Sequence, residues 1–405
     1  MRPLVPLTAV AALGAGLLIA PGLGDPATAA TVVTPKPTTS AAARCKAPRA
    51  LVNRTPNLAR TLPGGAKLRV WDTFGKKRVR ITAVRIPAGA LHARVIRAGS
   101  LSKVATPATQ VAKQKSVIVA VNGSVFDPKR GTPVRSVAID GKPLKAAGKD
   151  SSSLAVTKDG QLGLATNRVT GSALLGSVRF TVNGLNEQAL RSGGVTVYTS
   201  AWGKAKRPAG HAGILVRKGT VVARWSAKSR TKAVPSGYQL LVGSGSVGKQ
   251  LAAVKVGRSA VVSYRVSLRY FKDARPVAGS GDWRHLLATG SRLVRGGELG
   301  KSGTGFCSAR NELLRPRTAV GLMPNGDTLV VTFAGNKDGS GGVSVHQEAR
   351  YLQQLGVVDA VNLDGGGSTT MVVRNAVGAK VTRVDRPGAK QRKVPTVLAF
   401  DVARR

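Results

Sequence analysis

The chain has 405 residues, 63 of them Lys or Arg and 18 Asp or Glu, for a formal net charge of +45 spread along its length. Such a field favours polyanions and also keeps a chain soluble, but 4% aromatic content argues against a base-stacking platform for single strands. There is no zinc-finger or helix-turn-helix spacing, so no specific nucleic-acid binding is expected, and the four histidines do not cluster as in a multi-histidine metal centre.

Met1 and Arg2 precede an apolar stretch from Leu4 to Ala20, then Pro21, Gly22 and the small-residue segment Ala27-Thr28-Ala29-Ala30. Residues 1–30 therefore read as a secretory signal peptide cleaved near Ala29 or Ala30; a retained anchor is the rival, weakened by Pro6, Gly14, Gly16 and Pro21. No later stretch is long and apolar enough to span a bilayer, so no stable membrane insertion is expected after cleavage. The expected destination is extracellular or associated with the cell envelope. Residues 31–65, rich in Ala, Thr, Pro and basic groups, read as a flexible tether. In an oxidising compartment Cys45, in that tether, and Cys307 are either a disulfide pair or two free thiols.

Residues 66–405 read as one domain, with N-terminal strands in 66–115 and a motif-bearing core in 116–405. Short β-rich runs recur at Leu68 to Trp71, Val79 to Ile86, Ala93 to Ile96, Ser116 to Val121 and Ser153 to Thr157. They continue at Val195 to Thr199, Gly213 to Arg217, Thr220 to Trp225, Gln239 to Val242 and Ala260 to Leu268. The stretch from Leu174 to Trp283 is compatible with a separate lobe or an insertion. The strongest helix runs from Ser344 to Leu355, with Val345, Ala349, Leu352 and Leu355 on one face and Ser344 and Gln347 as a capping-box pair. The fold class is α+β: a β-dominated mixed sheet with a few packed helices.

Two glycine-rich segments carry the chemistry. Val361 to Leu363 runs an apolar strand into Asp364, Gly365, Gly366, Gly367, Ser368, Thr369 and Thr370 before a second apolar strand at Met371 to Val373. Successive glycines inside a sheet cost packing and entropy, so they suit a sharp turn or close approach to a ligand. Asp-Gly between apolar runs is also a hairpin signal, and that reading stands beside the first. Upstream, Gly339-Ser340-Gly341-Gly342 leads into the capped helix. Unpaired N–H groups of Gly341, Gly342 and the first helical turn would suit an anion; the plain alternative is an ordinary capped helix after a loop.

Further segments fall in a definite order: Val121-Asn122-Gly123-Ser124-Val125-Phe126-Asp127, Val182-Asn183-Gly184-Leu185-Asn186, Val197-Tyr198-Thr199-Ser200-Ala201-Trp202-Gly203, and Arg317-Thr318-Ala319-Val320-Gly321 ahead of Pro324-Asn325-Gly326-Asp327. With the Asp364 motif closing the series, this order resembles the phosphodiester glycosidase family, most strongly from Arg317 to Val373. Three departures stand out. The family's Asn-Gly-Gly-Phe-Phe reads Asn122-Gly123-Ser124-Val125-Phe126, a glycine-rich stretch reads Ala288-Thr289-Gly290-Ser291-Arg292-Leu293, and the closing Glu-Arg-x-Val reads Gln391-Arg392-Lys393-Val394.

The resemblance implies cleavage of the bond between sugar C1 and phosphate oxygen in a glycosyl-1-phosphodiester or an anionic cell-envelope glycopolymer. Ordinary glycosidases use two carboxylates because an alkoxide must be protonated as it leaves. A phosphate ester leaves as a stable anion, so one carboxylate and an anion cradle would suffice. Asp364 then stabilises the oxocarbenium-like centre or positions water. Gly365 to Gly367, Ser368, Thr369, Arg317 and Thr318 hold the phosphate. Asn122 and Asp127 bind sugar hydroxyls or orient Asp364, with turn roles as the alternative for both, and Glu348 is the spare carboxylate. The basic field should keep Asp364 ionised unless it is deeply buried. No cofactor is required, and a single calcium ion on Asp364 and main-chain carbonyls is compatible. A serine nucleophile at Ser368 lacks a base in motif context. The non-enzymatic alternative is a basic protein that grips envelope polymers through charge.

Overall fold

The computed structural model describes residues 55–73, 79–209, 212–225, 230–274, 283–300, 311–335, 341–386 and 388–402. The leader, Cys45 and Cys307 lie outside them. Each β-rich run read from the sequence is a strand, usually extended by one or two residues. Val79–Ile86 and Thr220–Trp225 match to the residue, and Ala260–Tyr270 is two longer than expected. The tether ends earlier than expected: Leu58–Thr61 pairs antiparallel with Lys67–Thr73, Leu58 opposite Val70. That edge strand has exposed side chains, so no hydrophobic alternation announced it.

Among the described residues the strands form three main sheets. An eight-stranded sheet runs Leu58–Thr61, Lys67–Thr73, Val79–Ile86, Thr328–Ala334, Arg317–Leu322, Asp359–Asn362, Arg292–Arg295 and Glu298–Leu299. A five-stranded sheet runs Thr382–Arg383, Met371–Val373, Val117–Asn122, Thr396–Val402 and Leu91–Arg97. One apolar cluster packs the two together, with Leu68, Val84, Val320, Val330 and Val361 from the first and Val95, Ile118, Met371, Leu398 and Phe400 from the second.

The outer faces are covered by helices α1, Pro107–Val111, and α3, Val345–Gln354. Val111 of α1 sits on Ala120, Val372 and Val397, while Ala349 and Leu352 of α3 sit on Ile81, Val331 and Phe333. The Phe333 and Tyr351 rings stack with centroids 5.8 Å apart. Burial on both faces explains why these strands read as unbroken apolar runs.

An eleven-stranded sheet joins Lys142–Ala147, Ser151–Thr157, Leu162–Leu175, Val178–Leu185 and Trp283–Ala288 with the strands between them, α2 (Gly245–Ala253) packing on it through Leu251. The stretch from Leu174 to Trp283 is thus woven into this sheet, neither a separate lobe nor an insertion beside it. The motifs around Asn183 and Tyr198 form a buried bracket there. The Asn186 amide donates to Leu144 O and Thr199 Oγ1. Tyr198 Oη donates to Glu187 O at 2.7 Å, and Lys145 Nζ meets Glu187 Oε1 at 3.2 Å.

The α3 capping box forms as read: Gln347 N–H donates to Ser344 Oγ and Ser344 N–H to Gln347 Oε1, both at 3.1 Å. Ser344→Ala should cost about 1 kcal/mol and Leu352→Ala, which empties the space between helix and sheet, roughly 2–5 kcal/mol. Urea denaturation should resolve the two losses; equal losses would contradict a helix held chiefly by its apolar face.

Candidate functional site

Asp359–Asn362 belongs to the eight-stranded sheet and Met371–Val373 to the five-stranded one. The Asp364 segment is therefore not a hairpin turn but a crossing between two stacked sheets. Each side of the crossing is tied by main-chain bonds. Leu363 N–H donates to Thr318 O at 2.8 Å, Gly366 N–H to Pro316 O at 2.7 Å and Asp364 N–H to Gly123 O at 3.1 Å.

The Asn122 side chain, fully buried, fastens the crossing from below. Its Nδ2 donates to Asp364 O at 2.7 Å, and its Oδ1 accepts from Thr318 Oγ1 at 2.8 Å and from Thr370 N–H at 3.1 Å. One amide thus links Val117–Asn122, Arg317–Leu322 and both ends of the loop. Of the three readings, these bonds match that of an orienter, acting on the Asp364 backbone.

Gly366–Ser368 forms a single 3-10 turn, entered with Gly366 at φ 60°, a left-handed conformation that favours glycine. A side chain on Gly367 would come within 2.6 Å of the Arg392 guanidinium, so Arg392 lies directly on the loop. Behind it, Asp385 accepts from Met371 N–H and from Arg383, and both Arg383 and Arg386 reach Thr369 O. Arg383, Asp385 and Arg386 were not singled out from the sequence, although the dense Arg-Val-Asp-Arg run at 383–386 was a signal, and Arg392 entered only within the closing Gln391-Arg392-Lys393-Val394 motif, with no role given to it.

The Asp364 side chain is half-buried. Burial pushes its carboxyl up to about 6, against the pull of the Ser368 hydroxyl, the Gly365 N–H and the Arg392 guanidinium. The basic field therefore does not hold it in the usual carboxylate range, but it is ionised above pH 6.

Across Pro316, Arg317 donates from Nε to Val343 O at 2.8 Å and from Nη2 to Leu313 O at 3.1 Å. Its Nε lies 3.9 Å from Glu348 Oε2. Glu348, on the buried face of α3, has no accessible surface, and neither carboxyl oxygen has a hydrogen-bond partner among the described residues. Burial pushes it up to about 8, with Arg317 pulling the other way. Glu348 is therefore a buried carboxyl and not a solvated helix residue. Its link to the crossing runs through Arg317, whose neighbour Pro316 accepts from Gly366 N–H.

Other expectations are corrected. Asp127 is engaged in its own turn, accepting from Lys129 N–H at 2.9 Å, Arg130 N–H at 3.2 Å and Arg130 Nη1 at 2.6 Å. None of those bonds reaches Asp364, and the Asx-turn alternative describes it.

The cradle of N–H groups is also smaller than expected. Gly366 N–H is taken by Pro316 O, the Gly365 N–H faces the Asp364 carboxyl, and Ser368 and Thr369 N–H donate back to Gly365 O and Gly366 O within the turn. Likewise the α3 N-terminus is capped by Ser344, and Val345 N–H donates to Asn311 O. Gly342, at φ 101°, sits where a side chain would come within 2.2 Å of the Arg315 carbonyl, so it serves close backbone packing and not an open anion nest.

Ser368, Thr369 and Thr318 are all buried at the crossing, and Thr369 Oγ1 has no partner among the described residues. Gln391, in place of the family's glutamate, accepts from Ala108 N–H at 3.1 Å on the first turn of α1, a bond that a glutamate would also make. Val125 is 42% exposed where the family has an aromatic. Among the described residues no group of three or more His, Cys, Asp or Glu side chains converges as metal ligands.

Comparison with known proteins bears out the resemblance read from the motifs. Residues 210–401 match the model of the phosphodiester glycosidase family. A mouse N-acetylglucosamine-1-phosphodiester alpha-N-acetylglucosaminidase is 36% identical over 76 residues, which span 19% of this chain and 14% of the mouse enzyme. Among solved structures, a hypothetical protein from Synechocystis superposes with a TM-score of 0.68 at 23% identity, covering 87% of this chain and 64% of that one. A protein from Burkholderia pseudomallei K96243, described as exported, gives 0.58 at 20% identity, covering 80% and 74%. These two likenesses extend the shared fold beyond the matched segment.

Two outcomes follow from the buried groups. Asn122→Ala strands the Thr318 hydroxyl and the Thr370 N–H and should cost about 2–4 kcal/mol in urea denaturation. Glu348 is neutral in the folded protein up to about pH 8 but ionises near 4.5 when unfolded. The folded state thus binds more protons in that window, and its contribution to stability is lost as pH rises. Glu348→Gln should therefore be no more stable than wild type near pH 4.5 and progressively more stable toward pH 8. A constant difference across that range would contradict a neutral buried Glu348.

Proposed function

We propose, proceeding from the phosphodiester glycosidase match over residues 210–401, that this protein is an exported hydrolase that cleaves the sugar C1 to phosphate-oxygen bond of a glycosyl-1-phosphodiester. The observation that carries the reading is the Asp364 carboxyl, set on a sheet crossing by Asn122 and flanked by Arg392, with Arg317 one contact away. The C1–O bond breaks with its electron pair leaving on the phosphate. Water adds its oxygen to C1 and releases a proton. Above pH 6 an anionic Asp364 stabilises the positive charge developing at C1 or orients that water. The leaving phosphate is stable as an anion, so Arg317 and Arg392 need only grip it.

Glu348 acts through Arg317. While protonated, it leaves the guanidinium charge free for the phosphate; above about pH 8 it ionises and competes for it. The reading requires no bound metal, and a chelator should leave the rate unchanged. A leader of signal-peptide character and a charge of +45 support export to an envelope rich in anionic glycopolymers.

The same charge, and a loop in which the Gly365, Gly366, Ser368 and Thr369 N–H groups are taken within the chain, favour a second reading in which the protein binds such polymers without turnover.

Against a panel of sugar-1-phosphodiesters, Asp364→Asn should lose about 10²–10⁴-fold in sugar release with folding unchanged. Under the second reading no substrate turns over, attachment is salt-sensitive, and the variant binds as wild type does. The kcat/KM of wild type should rise through about pH 6 as Asp364 ionises and fall through about pH 8 as Glu348 does. Glu348→Gln should remove only the alkaline limb, and retention of that limb would exclude the role given to Glu348.

A further inference from the structure

The chemistry assigned to Asp364 leaves no part for Arg383. Its side chain is nearly closed to solvent, 6% exposed beside a fully buried Asp385. A guanidinium carries five N–H donors in one plane, and here every one is spent. Nε–H and one Nη2–H donate to Asp385 Oδ1 and Oδ2, both at 2.9 Å. The other Nη2–H donates to Thr369 O at 3.1 Å, and the two on Nη1 donate to Ala389 O at 2.8 Å and Lys390 O at 3.0 Å.

These acceptors belong to separate stretches of chain. Thr369 closes the 3-10 turn of the Asp364 loop, whereas Ala389 and Lys390 lead into Arg392, whose guanidinium lies against Gly367 of that loop. One plane of donors thus fixes the spacing between the loop and the strap that carries its cation. Asp385 sets the plane: its Oδ1 also accepts from Met371 N–H at 2.9 Å, on the strand that the loop enters. The strap is tied a second time where Gln391 accepts from Ala108 N–H of α1. With its five donors used inside the chain, Arg383 has none for a substrate phosphate, so its part differs from that of Arg317 and Arg392.

We propose that Arg383 is a positioning residue, which holds the 389–392 strap to the Asp364 loop and thereby sets the Arg392 guanidinium beside the Asp364 carboxyl. That role rests on the site proposed around Asp364, though the contact exists with or without turnover. A lysine at 383 keeps the charge but offers three donors from a single point and cannot reproduce the fork.

The coupling has an electrostatic signature. Arg392 pulls the Asp364 carboxyl down against burial, alongside the Ser368 hydroxyl and the Gly365 N–H. An Arg392 that swings away from the loop lets that carboxyl rise.

The test titrates the Asp364 carboxyl by ¹³C NMR in the full-length protein at low salt, with the signal assigned through Asp364→Asn. Arg392→Gln should raise its midpoint by about 0.5–1 pH unit, the partial pull of an exposed cation. Arg383→Lys should raise it by a similar amount, and the double variant no further than Arg392→Gln alone. Leu251→Ala, which loosens the packing of α2 on the eleven-stranded sheet, should leave it in place, so lost stability alone does not produce the shift. In the wild type the Arg383 Nη–H signals should be separately resolved and slow to exchange; averaged, fast-exchanging signals overturn the lock without any variant. A midpoint unmoved in Arg383→Lys, or shifts that add in the double variant, overturn the proposal. The expected shifts in a protein that hydrolyses no sugar-1-phosphodiester would remove the assigned reaction and leave the role of Arg383 standing.

Discussion

The structure depends on one buried amide. Asn122 closes a strand of the five-stranded sheet, and its side chain has no access to water, so each polar atom must find a partner within the protein. It does so on the chain that leaves one sheet and enters another. Two stacked sheets could be joined by any loop long enough to bridge them. What positions Asp364 is that the loop's carbonyl, the next strand's N–H and the Thr318 hydroxyl all converge on this one group. The glycines follow from this, because the chain must then reverse within one 3-10 turn under Pro316 and against Arg392.

The same crossing concentrates ionisable groups that burial disfavours. Asp364 and Glu348 are both raised, the first modestly because it is half-open and near Arg392, the second further because nothing solvates it. Two carboxyls pushed to different values beside basic side chains are a recognisable arrangement of reactive sites. They are also expensive to maintain. A neutral glutamine at 348 would serve packing alone at least as well, so a buried carboxyl there reflects something other than stability.

Much of the strand content was legible because two sheets are covered on both faces, which leaves runs such as Leu329 to Phe333 almost continuously apolar. Helix α3 was legible to its caps because Ser344 and Gln347 stand at the spacing the capping box requires. Leu162–Leu175 and Val178–Leu185 escaped notice because Thr, Asn, Gly and Arg interrupt them, although they pair with each other in a tight hairpin, Leu175 opposite Val178. The Asp364 motif was legible as a special segment but not as a crossing, since apolar runs on both sides of Asp-Gly carry no record of which sheet each joins. The expected N–H cradle failed for a local reason: a tight turn uses its own donors. Asp127 likewise proved to be held by Arg130, three residues away, a contact to which motif order is blind.

Which bond breaks tests the central claim most directly. Hydrolysis of a sugar-1-phosphodiester in ¹⁸O-labelled water should place the label on C1 of the released sugar and leave the phosphomonoester unlabelled, because the bridging oxygen departs with the phosphate. Label in the phosphate would mean attack at phosphorus, and would contradict a site built around Asp364 for charge at a sugar carbon.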